Sequence, residues 1–411
     1  MKEKDTHVMD HQLVRGIEEA LGWMGPGLLG REFARGSLPD PVFGTKLLTP
    51  EKLLDIIMRR SLTASRLRIL QGGRDLHPNA FISTKPVRRS EGVPMVDMER
   101  LGRLIQEGAT LVLDGVNTYD PTLEVACRAL QWWTHELVQV NTYLTTGDAA
   151  GFNLHWDDHD VLIVQVAGQK SWEVRGLSRP APLYRDAEPN VEPPEEIVWK
   201  GTMQPGDVMH IPRGYWHQAT REDRGDGFSL HLTFGFPQRT GVDYFTWLAD
   251  QSRRSEVFRH DIARWDSVRF RGEQQFALTD AAVKLAATTS IEDFLAARER
   301  EIPPSRHITT HGVFGSPSAV VCVTEFAPHL EELDDTVVLA AAARRIEFGK
   351  TALPALKLLL SGRPVAIPEV AAETGVDAAM LAEVLVEEGI CATVTPELAA
   401  GYEGVLTSEG R

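Results

Sequence analysis

"NLHWDDHDVLIVQVAGQKSW" spans residues 153–172 and carries the pattern that decides the fold. An apolar run over Asp160–Val166 predicts a strand, and the Ala-Gly-Gln turn after it leads into a second strand. Similar short strands with glycine- or proline-containing turns are predicted on both sides, at Val138–Thr145, Lys170–Val174, Ile197–Lys200, Asp207–Ile211 and Gly227–Phe236. Short strands joined by such turns are typical of an antiparallel barrel or jelly roll.

The same stretch carries the residues of a candidate metal site. His155 and Asp157 are two positions apart, so on a strand both side chains point to one face. His217 follows a Pro-Arg-Gly turn sixty residues later and is the best third ligand. Two histidines and one carboxylate form the facial set of non-haem Fe(II) oxygenases, although such a set also allows Zn²⁺ or Ni²⁺ chemistry. His159 and His210 are interpreted as structural or as lying outside the ligand set.

Lys170 is the candidate anchor for a cosubstrate. A hairpin at the Ala-Gly-Gln segment returns Lys170 beside the metal-binding strand, where its charge suits the distal carboxylate of a dicarboxylic acid such as 2-oxoglutarate. The alternative is a surface lysine on a hairpin. Trp172 shares the face of Lys170 and favours an inward orientation.

Two further pairs of polar residues alternate inward on predicted strands. Asn141 and Tyr143 share one face and either bind cosubstrate or substrate, or are hydrogen-bonded core groups. His231 and Thr233 share a face of the last strand, and either is a candidate contact to the cosubstrate.

The remaining sequence predicts three regions: residues 1–238, which hold the barrel and N-terminal helices, 239–325 and 326–411. The first includes helices at Gln12–Leu21, from Thr49, at Asp97–Glu107 and at Pro121–His135, and strands at Leu67–Leu70 and Thr110–Leu113. Helical spacing at Val242–Arg254, Thr279–Ala287 and Ile291–Arg300 predicts a helical module, which β-like sequence follows at Val313–Glu325. A helix–turn–helix pattern spans Ala366–Ile390, with Gly375 at the turn.

Composition and charge narrow the class of partner. The 411 residues carry a formal net charge of −15, which favours a basic protein or peptide and disfavours nucleic acid or an anionic membrane. Residues 301–411 hold 16 acidic and 7 basic side chains, a net charge of −9, and the second helix of the helix–turn–helix has no Lys or Arg. A regulator that reads DNA with this helix is therefore the weaker hypothesis. Three separated cysteines, a charged N-terminus and no long apolar run predict a cytoplasmic protein without a membrane span.

Four motifs together resemble the JmjC-type cupin oxygenases, in particular their ribosomal-oxygenase branch. They are NTYLT at 141–145, GFNLHWDDHDVLIVQVAGQKSW at 151–172, GDVMHIPRGYWHQA at 206–219 and SLHLT at 229–233. The resemblance covers about a quarter of the chain by motif, and most of it by the order of modules. It implies an α+β protein with a double-stranded β-helix (cupin or jelly-roll) barrel, a helical dimerisation module that makes a homodimer, and a C-terminal winged-helix-like domain.

The resemblance also implies the chemistry. Fe(II) would be held by His155, Asp157 and His217, with 2-oxoglutarate on Lys170 and O2 as the oxidant. The reaction would release succinate and CO2 and hydroxylate a side chain of a ribosomal protein or precursor peptide, and demethylation is a variant of the same chemistry. One departure is Gly235, where some relatives have a serine that helps to bind 2-oxoglutarate.

Overall fold

The computed structural model describes residues 9–84, 92–147, 152–183, 192–220, 227–302, 307–309 and 312–407. Gly151 of the second motif and most of the charged N-terminus lie outside these ranges. The strands are β1 Ala34–Ser37, β2 Leu67–Gln71, β3 Arg74–Asp75, β4 Ile82–Thr84, β5 Pro94–Val96, β6 Thr110–Leu113, β7 Gln139–Thr146, β8 Asp160–Gly168, β9 Lys170–Leu177, β10 Ile197–Met203, β11 Asp207–Ile211, β12 Tyr215–Thr220, β13 Phe228–Phe236, β14 Ala319–Cys322, β15 His329–Glu332, β16 Thr336–Ala341, β17 Arg344–Gly349, β18 Val365–Ala366 and β19 Cys391–Thr393.

The helices match the capping signals in the sequence. Thr49 and Asp120 cap helices that open with a proline at the first position, as the sequence predicts. The helices are α1 Gln12–Leu21, α2 Phe43–Leu47, α3 Pro50–Arg59, α4 Met98–Gln106, α5 Pro121–Thr134, α6 Gly241–Ser252, α7 Glu256–Arg259, α8 Val268–Thr288, α9 Ile291–Glu301, α10 Leu353–Leu359, α11 Ile367–Thr374, α12 Ala378–Glu387 and α13 Pro396–Ala400.

Two antiparallel sheets face each other and enclose the site. The larger has the strand order β1-β11-β8-β13-β7-β6-β2-β3, and the smaller has the order β10-β9-β12. Strand β8 is buried on both faces. Val161 and Ile163 pack toward the smaller sheet, while Leu162 and Val164 join the main core on the other side. This burial explains the continuous apolar run that the sequence shows at this strand, and the arrangement agrees with the predicted cupin barrel within an α+β fold.

The C-terminal region contains more strand than the sequence patterns predict. Strand β14 pairs with β18 and β19, while β15, β16 and β17 form a separate antiparallel sheet. Strand β14 lies before residues 326–411, the region predicted as the last domain, and pairs with β18 and β19 within it. The helix–turn–helix is present as α11 and α12, with Gly375 between them in the left-handed region at φ 69°.

Candidate metal centre and cosubstrate cavity

Two facing segments of backbone place the predicted metal ligands. The His155 N–H donates to the His217 carbonyl at 3.1 Å and the His217 N–H donates to the His155 carbonyl at 2.7 Å, which forms an isolated antiparallel bridge. The Gly214 N–H donates to the Asp157 carbonyl at 2.9 Å. These hydrogen bonds fix the segment that carries His155 against β12, which carries His217; the strand that the sequence predicts at residues 155–157 is only this isolated bridge.

The side chains of His155, Asp157 and His217 converge on one point. Each offers a ligand atom, and these atoms lie within 4.8 Å of one another. The Nδ1 atoms of His155 and His217 lie 2.7 Å and 3.0 Å from the backbone carbonyls of Asn153 and Tyr215. Donation from each Nδ1–H to its carbonyl leaves Nε2 free to bind a metal.

The ionisation of these groups suits a cation. Burial lowers the pKa of His155, and the neighbouring His217 lowers it further. Burial by itself raises the pKa of Asp157, but a hydrogen bond from His217 and the charges of both histidines outweigh it, so this pKa is lowered. The lowered pKa values of His155 and Asp157 favour the neutral imidazole and the ionised carboxylate that metal binding requires of these two residues.

A cavity of about 310 Å³ opens beside this cluster. All eight residues predicted from the sequence as site residues line it, together with side chains from both sheets. The lining residues are Arg68, Thr110, Asn141, Tyr143, Thr145, Phe152, His155, Asp157, His159, Val161, Ile163, Lys170, Trp172, His217, Ala219, His231, Thr233 and Gly235. Folding thus brings the predicted metal ligands and the predicted cosubstrate residues around one space.

Lys170 lies at the closed end of the cavity. It is 1% exposed, and its Nζ donates to the Thr145 hydroxyl at 3.0 Å. The Thr145 hydroxyl lies 3.2 Å from that of Thr110 on the neighbouring strand. Sequence reasoning missed both threonines because the Thr110–Thr145 pairing depends on the register of β6 with β7.

The other predicted residues form one wall of the cavity. The rings of Tyr143 and His231 stack with centroids 4.7 Å apart and planes 6° apart. Burial raises the pKa of Tyr143, and burial followed by the charge of Lys170 lowers the pKa of His231 to about 3. The Asn141 side-chain oxygen accepts a hydrogen bond from the Gly115 N–H at 2.9 Å, so the carbonyl group of this amide is bound to the backbone.

The more open end of the cavity has residues that the sequence did not indicate. The Arg68 guanidinium makes two hydrogen bonds to Asp114, at 2.9 and 3.1 Å, and packs on the Phe152 ring. His159, interpreted from the sequence as structural, lines the cavity and covers Gly235. A Cβ at position 235 would lie 2.8 Å from His159 Cδ2, so the ring occupies the space of a side chain there.

His210 is structural. It is completely buried, with Nδ1 2.8 Å from the Glu32 carbonyl and Nε2 accepting from the Gly30 N–H at 3.2 Å. Both ring nitrogens are therefore committed to backbone, and burial lowers the pKa of His210 to about 4.

The chain matches known proteins in sequence over this region and in fold over most of its length. The model of the JmjC domain family matches residues 119–244. The bifunctional lysine-specific demethylase and histidyl-hydroxylase NO66 of Drosophila willistoni is 35% identical over 136 residues, which are 32% of this chain and 18% of the relative. The NO66 protein of Caenorhabditis elegans is 36% identical over 121 residues, or 28% of this chain and 16% of the relative.

These curated relatives are much longer than the part that matches, since the chain spans less than a fifth of either length. Among solved structures, the Escherichia coli ribosomal oxygenase YcfD has the same fold. It aligns with a TM-score of 0.53 over 89% of this chain and 96% of its own, at 15% sequence identity.

Proposed function

Because the chain contains a JmjC domain over residues 119–244, we propose that it is an Fe(II)- and 2-oxoglutarate-dependent oxygenase that hydroxylates a side chain of a protein or peptide. One observation carries the proposal. A two-histidine, one-carboxylate cluster and a buried lysine line the same cavity, so one small dicarboxylic acid can reach both. Fe(II), 2-oxoglutarate and O2 are the cofactor, cosubstrate and oxidant.

The donor set fits Fe(II). His155, Asp157 and His217 supply two imidazole nitrogens and a carboxylate oxygen, which is the facial set of this metal in oxygenases. When bound, the iron and 2-oxoglutarate supply the chemistry in which O2 converts 2-oxoglutarate to succinate and CO2 and one oxygen atom enters a C–H bond. The backbone carbonyls of Asn153 and Tyr215 hold the two imidazoles in the tautomer that leaves Nε2 for the metal.

The residues around Lys170 fit the distal carboxylate. The ammonium group, with the Thr145 hydroxyl 3.0 Å away and Thr110 beyond it, offers several donors at one end of the cavity. Charge-assisted hydrogen bonds of this kind are about twice as strong as neutral ones. Tyr143, His231, Thr233 and Asn141 line the space between and restrict the orientation of the acid.

The proposed substrate is a basic protein or peptide, such as a ribosomal protein or a precursor peptide. A net charge of −15 attracts such a partner at long range, and nucleic acid is not an expected partner. Demethylation of an N-methyl group is the second candidate activity, because hydroxylation of that methyl carbon releases it. The NO66 relatives are named for both reactions.

Incubation of the protein with Fe(II), 2-oxoglutarate and a panel of basic ribosomal proteins and peptides tests the proposal. We expect succinate formation and a gain of one oxygen on a specific residue by mass spectrometry, whereas release of formaldehyde would indicate demethylation. His155→Ala and Asp157→Ala should abolish both turnover and binding of Mn²⁺, used as a redox-inert probe. Turnover that survives these substitutions would refute the ligand assignment, and activity with Zn²⁺ but not Fe(II) would favour non-oxidative chemistry.

We propose that helices α6 to α9 of the predicted region 239–325 form a dimerisation module. Helix α8 has 21 residues and none of them is buried, while Phe276 and Val283 on it are 75% and 64% exposed. Trp265, just before this helix, is 91% exposed. A helix with large apolar side chains open to water is suited to packing against a second copy of itself.

We propose that the predicted region 326–411, with β14 paired to it, forms a winged-helix-like domain that docks protein rather than DNA. Helix α12 carries acidic side chains and exposes Met380, and it has no Lys or Arg. A gel shift at low salt tests the alternative of a DNA-reading regulator. The buried thiols of Cys127, Cys322 and Cys391, which form no disulfide among the described residues, support a cytoplasmic location. Among the described residues, no helix is both long and apolar enough to cross a membrane.

A further inference from the structure

Gln165 lies beneath the cosubstrate end of the cavity but does not line it. Its side chain is completely buried, and its Nε2 lies 2.9 Å from the Ala167 carbonyl and 3.1 Å from the Gly168 carbonyl. The same nitrogen lies 3.0 Å from the Ser229 hydroxyl and 3.4 Å from the Leu230 carbonyl. Oxygen acceptors on four sides identify this end of the amide as the NH2 group.

These contacts coincide with an irregularity in the pairing of β8 with β13. Leu230 pairs with Ala167 and His231 pairs with Gln165, so Val166 is an extra residue on β8 and forms a β-bulge. The bulge interrupts the regular ladder just before the turn into β9. The Gln165 amide supplies donors to carbonyls on both sides of this interruption.

The turn that Gln165 holds has little space to adjust. Gly168 has φ 61°, and a Cβ there would lie 2.0 Å from the Phe228 carbonyl oxygen, so β13 runs directly against the turn. Lys170 begins β9 two residues later. On the other strand, Leu230 immediately precedes His231, and Ser229 pairs with Thr145. The Gln165 amide therefore contacts the turn before Lys170, the residue before His231, and Ser229, which pairs with Thr145.

We propose that Gln165 is a positioning residue that holds Lys170, Thr145 and His231 in register for the distal carboxylate of 2-oxoglutarate. This inference rests on the proposed function. Gln165 touches neither the cavity nor the metal cluster, so its effect is on affinity for the dicarboxylic acid. Loss of its donors removes hydrogen bonds from the carbonyls at the bulge and loosens the turn before Lys170.

The test is Gln165→Met, which keeps the length of the side chain and removes its donors. We expect the KM for 2-oxoglutarate to rise by about tenfold with a smaller change in kcat. Calorimetry on Mn²⁺-loaded protein without turnover should give a matching loss of 2-oxoglutarate affinity, while Mn²⁺ affinity stays within twofold of wild type.

Gln131→Met is the matched control. Gln131 is also a buried amide, with its Nε2 donating to Glu325 and its Oε1 accepting from the Val138 N–H at 3.0 Å, but it lies on α5 away from this cavity. Both variants should lose thermal stability, and only Gln165→Met should lose 2-oxoglutarate affinity. Ser229→Ala, which removes one acceptor, provides a milder variant with the same direction of effect if Gln165→Met does not fold.

Unchanged 2-oxoglutarate affinity in both Gln165→Met and Ser229→Ala would overturn the inference. An equal loss of Mn²⁺ affinity would also overturn it, because it would indicate general loosening of the barrel. Absence of 2-oxoglutarate binding in the wild-type protein would instead refute the proposed function.

Discussion

Replacement of Lys170 by methionine separates the binding role of this residue from its role in stability. Methionine has nearly the same length and removes the charge and the hydrogen bond to Thr145. A hydrogen bond to a charged group contributes about 1.5–3 kcal/mol, so the 2-oxoglutarate dissociation constant should rise by roughly 10- to 150-fold. The proposed metal ligands are His155, Asp157 and His217 and do not include Lys170, so Mn²⁺ binding should be retained.

Lys170→Met should weaken 2-oxoglutarate binding without lowering the stability of the ligand-free protein. Lys170 is 1% exposed, and removal of its ammonium group from water carries a desolvation cost that opposes folding. We therefore expect the ligand-free variant to unfold at the same temperature as wild type or higher. A lysine that is merely structural would show a lower unfolding temperature on replacement and no specific loss of 2-oxoglutarate binding.

Isothermal titration of Mn²⁺-loaded protein with 2-oxoglutarate and differential scanning calorimetry together measure both effects. Lys200→Met is the control, because Lys200 lies on β10 of the same small sheet with its side chain 51% exposed beside Glu173. Affinity for 2-oxoglutarate within twofold of wild type in Lys170→Met would refute the assignment of the cosubstrate end.

Three further predictions concern other parts of the molecule. Gly235→Ser places a side chain against the His159 ring and should lower the free energy of unfolding by about 1–3 kcal/mol. Adding His159→Ala to the same chain should relieve most of this loss, and strictly additive effects of the two substitutions would contradict the contact. Phe276→Asp should convert the proposed dimer to monomer at equal concentration in light scattering, and an unchanged mass would exclude α8 from the interface. Burial lowers the pKa of His11 to about 3. As the pH falls below about 6.5, His11 therefore binds a proton in the unfolded chain but not in the folded chain, and the folded state loses stability. His11→Asn should therefore flatten the acid loss of stability between pH 6.5 and 4 by up to about 1.4 kcal/mol per pH unit, as measured by urea unfolding, and an equal slope would show that His11 does not contribute.

The cluster of His155, Asp157 and His217 could be predicted from sequence, although the strand expected for the first two is reduced to one isolated bridge at His155. The spacing of His155 and Asp157 is local, and His217 follows a recognisable turn. Lys170 follows from the two-residue period of a strand applied across one hairpin. The two threonines beside Lys170 could not be found this way, since β6 and β7 meet only through a register that no local pattern specifies.

Two other features were beyond sequence patterns for different reasons. His159 could not be separated from a structural histidine, because its place in the cavity depends on the missing side chain of Gly235 on a distant strand. The sheet of β15, β16 and β17 was not predicted because both outer strands carry charged residues and only the central strand, Thr336–Ala341, is buried. Charged edge strands protect a sheet from pairing with other chains, and they also hide its sequence pattern.

The burial of the side chains differs along the cavity, and this difference bears on the order in which ligands bind. Lys170, Thr145 and Thr110 are at most 2% exposed, whereas the side chains of Asp157 and His159 are 29% and 27% exposed. Under the proposed function, 2-oxoglutarate binds at the buried residues and the protein substrate approaches the more exposed ones. We therefore expect the dicarboxylic acid to bind before the protein substrate. The buried cation is also consistent with the acidic chain as a whole: the surplus negative charge suits the proposed basic partner, and Lys170 would provide the opposite charge for a small dianion.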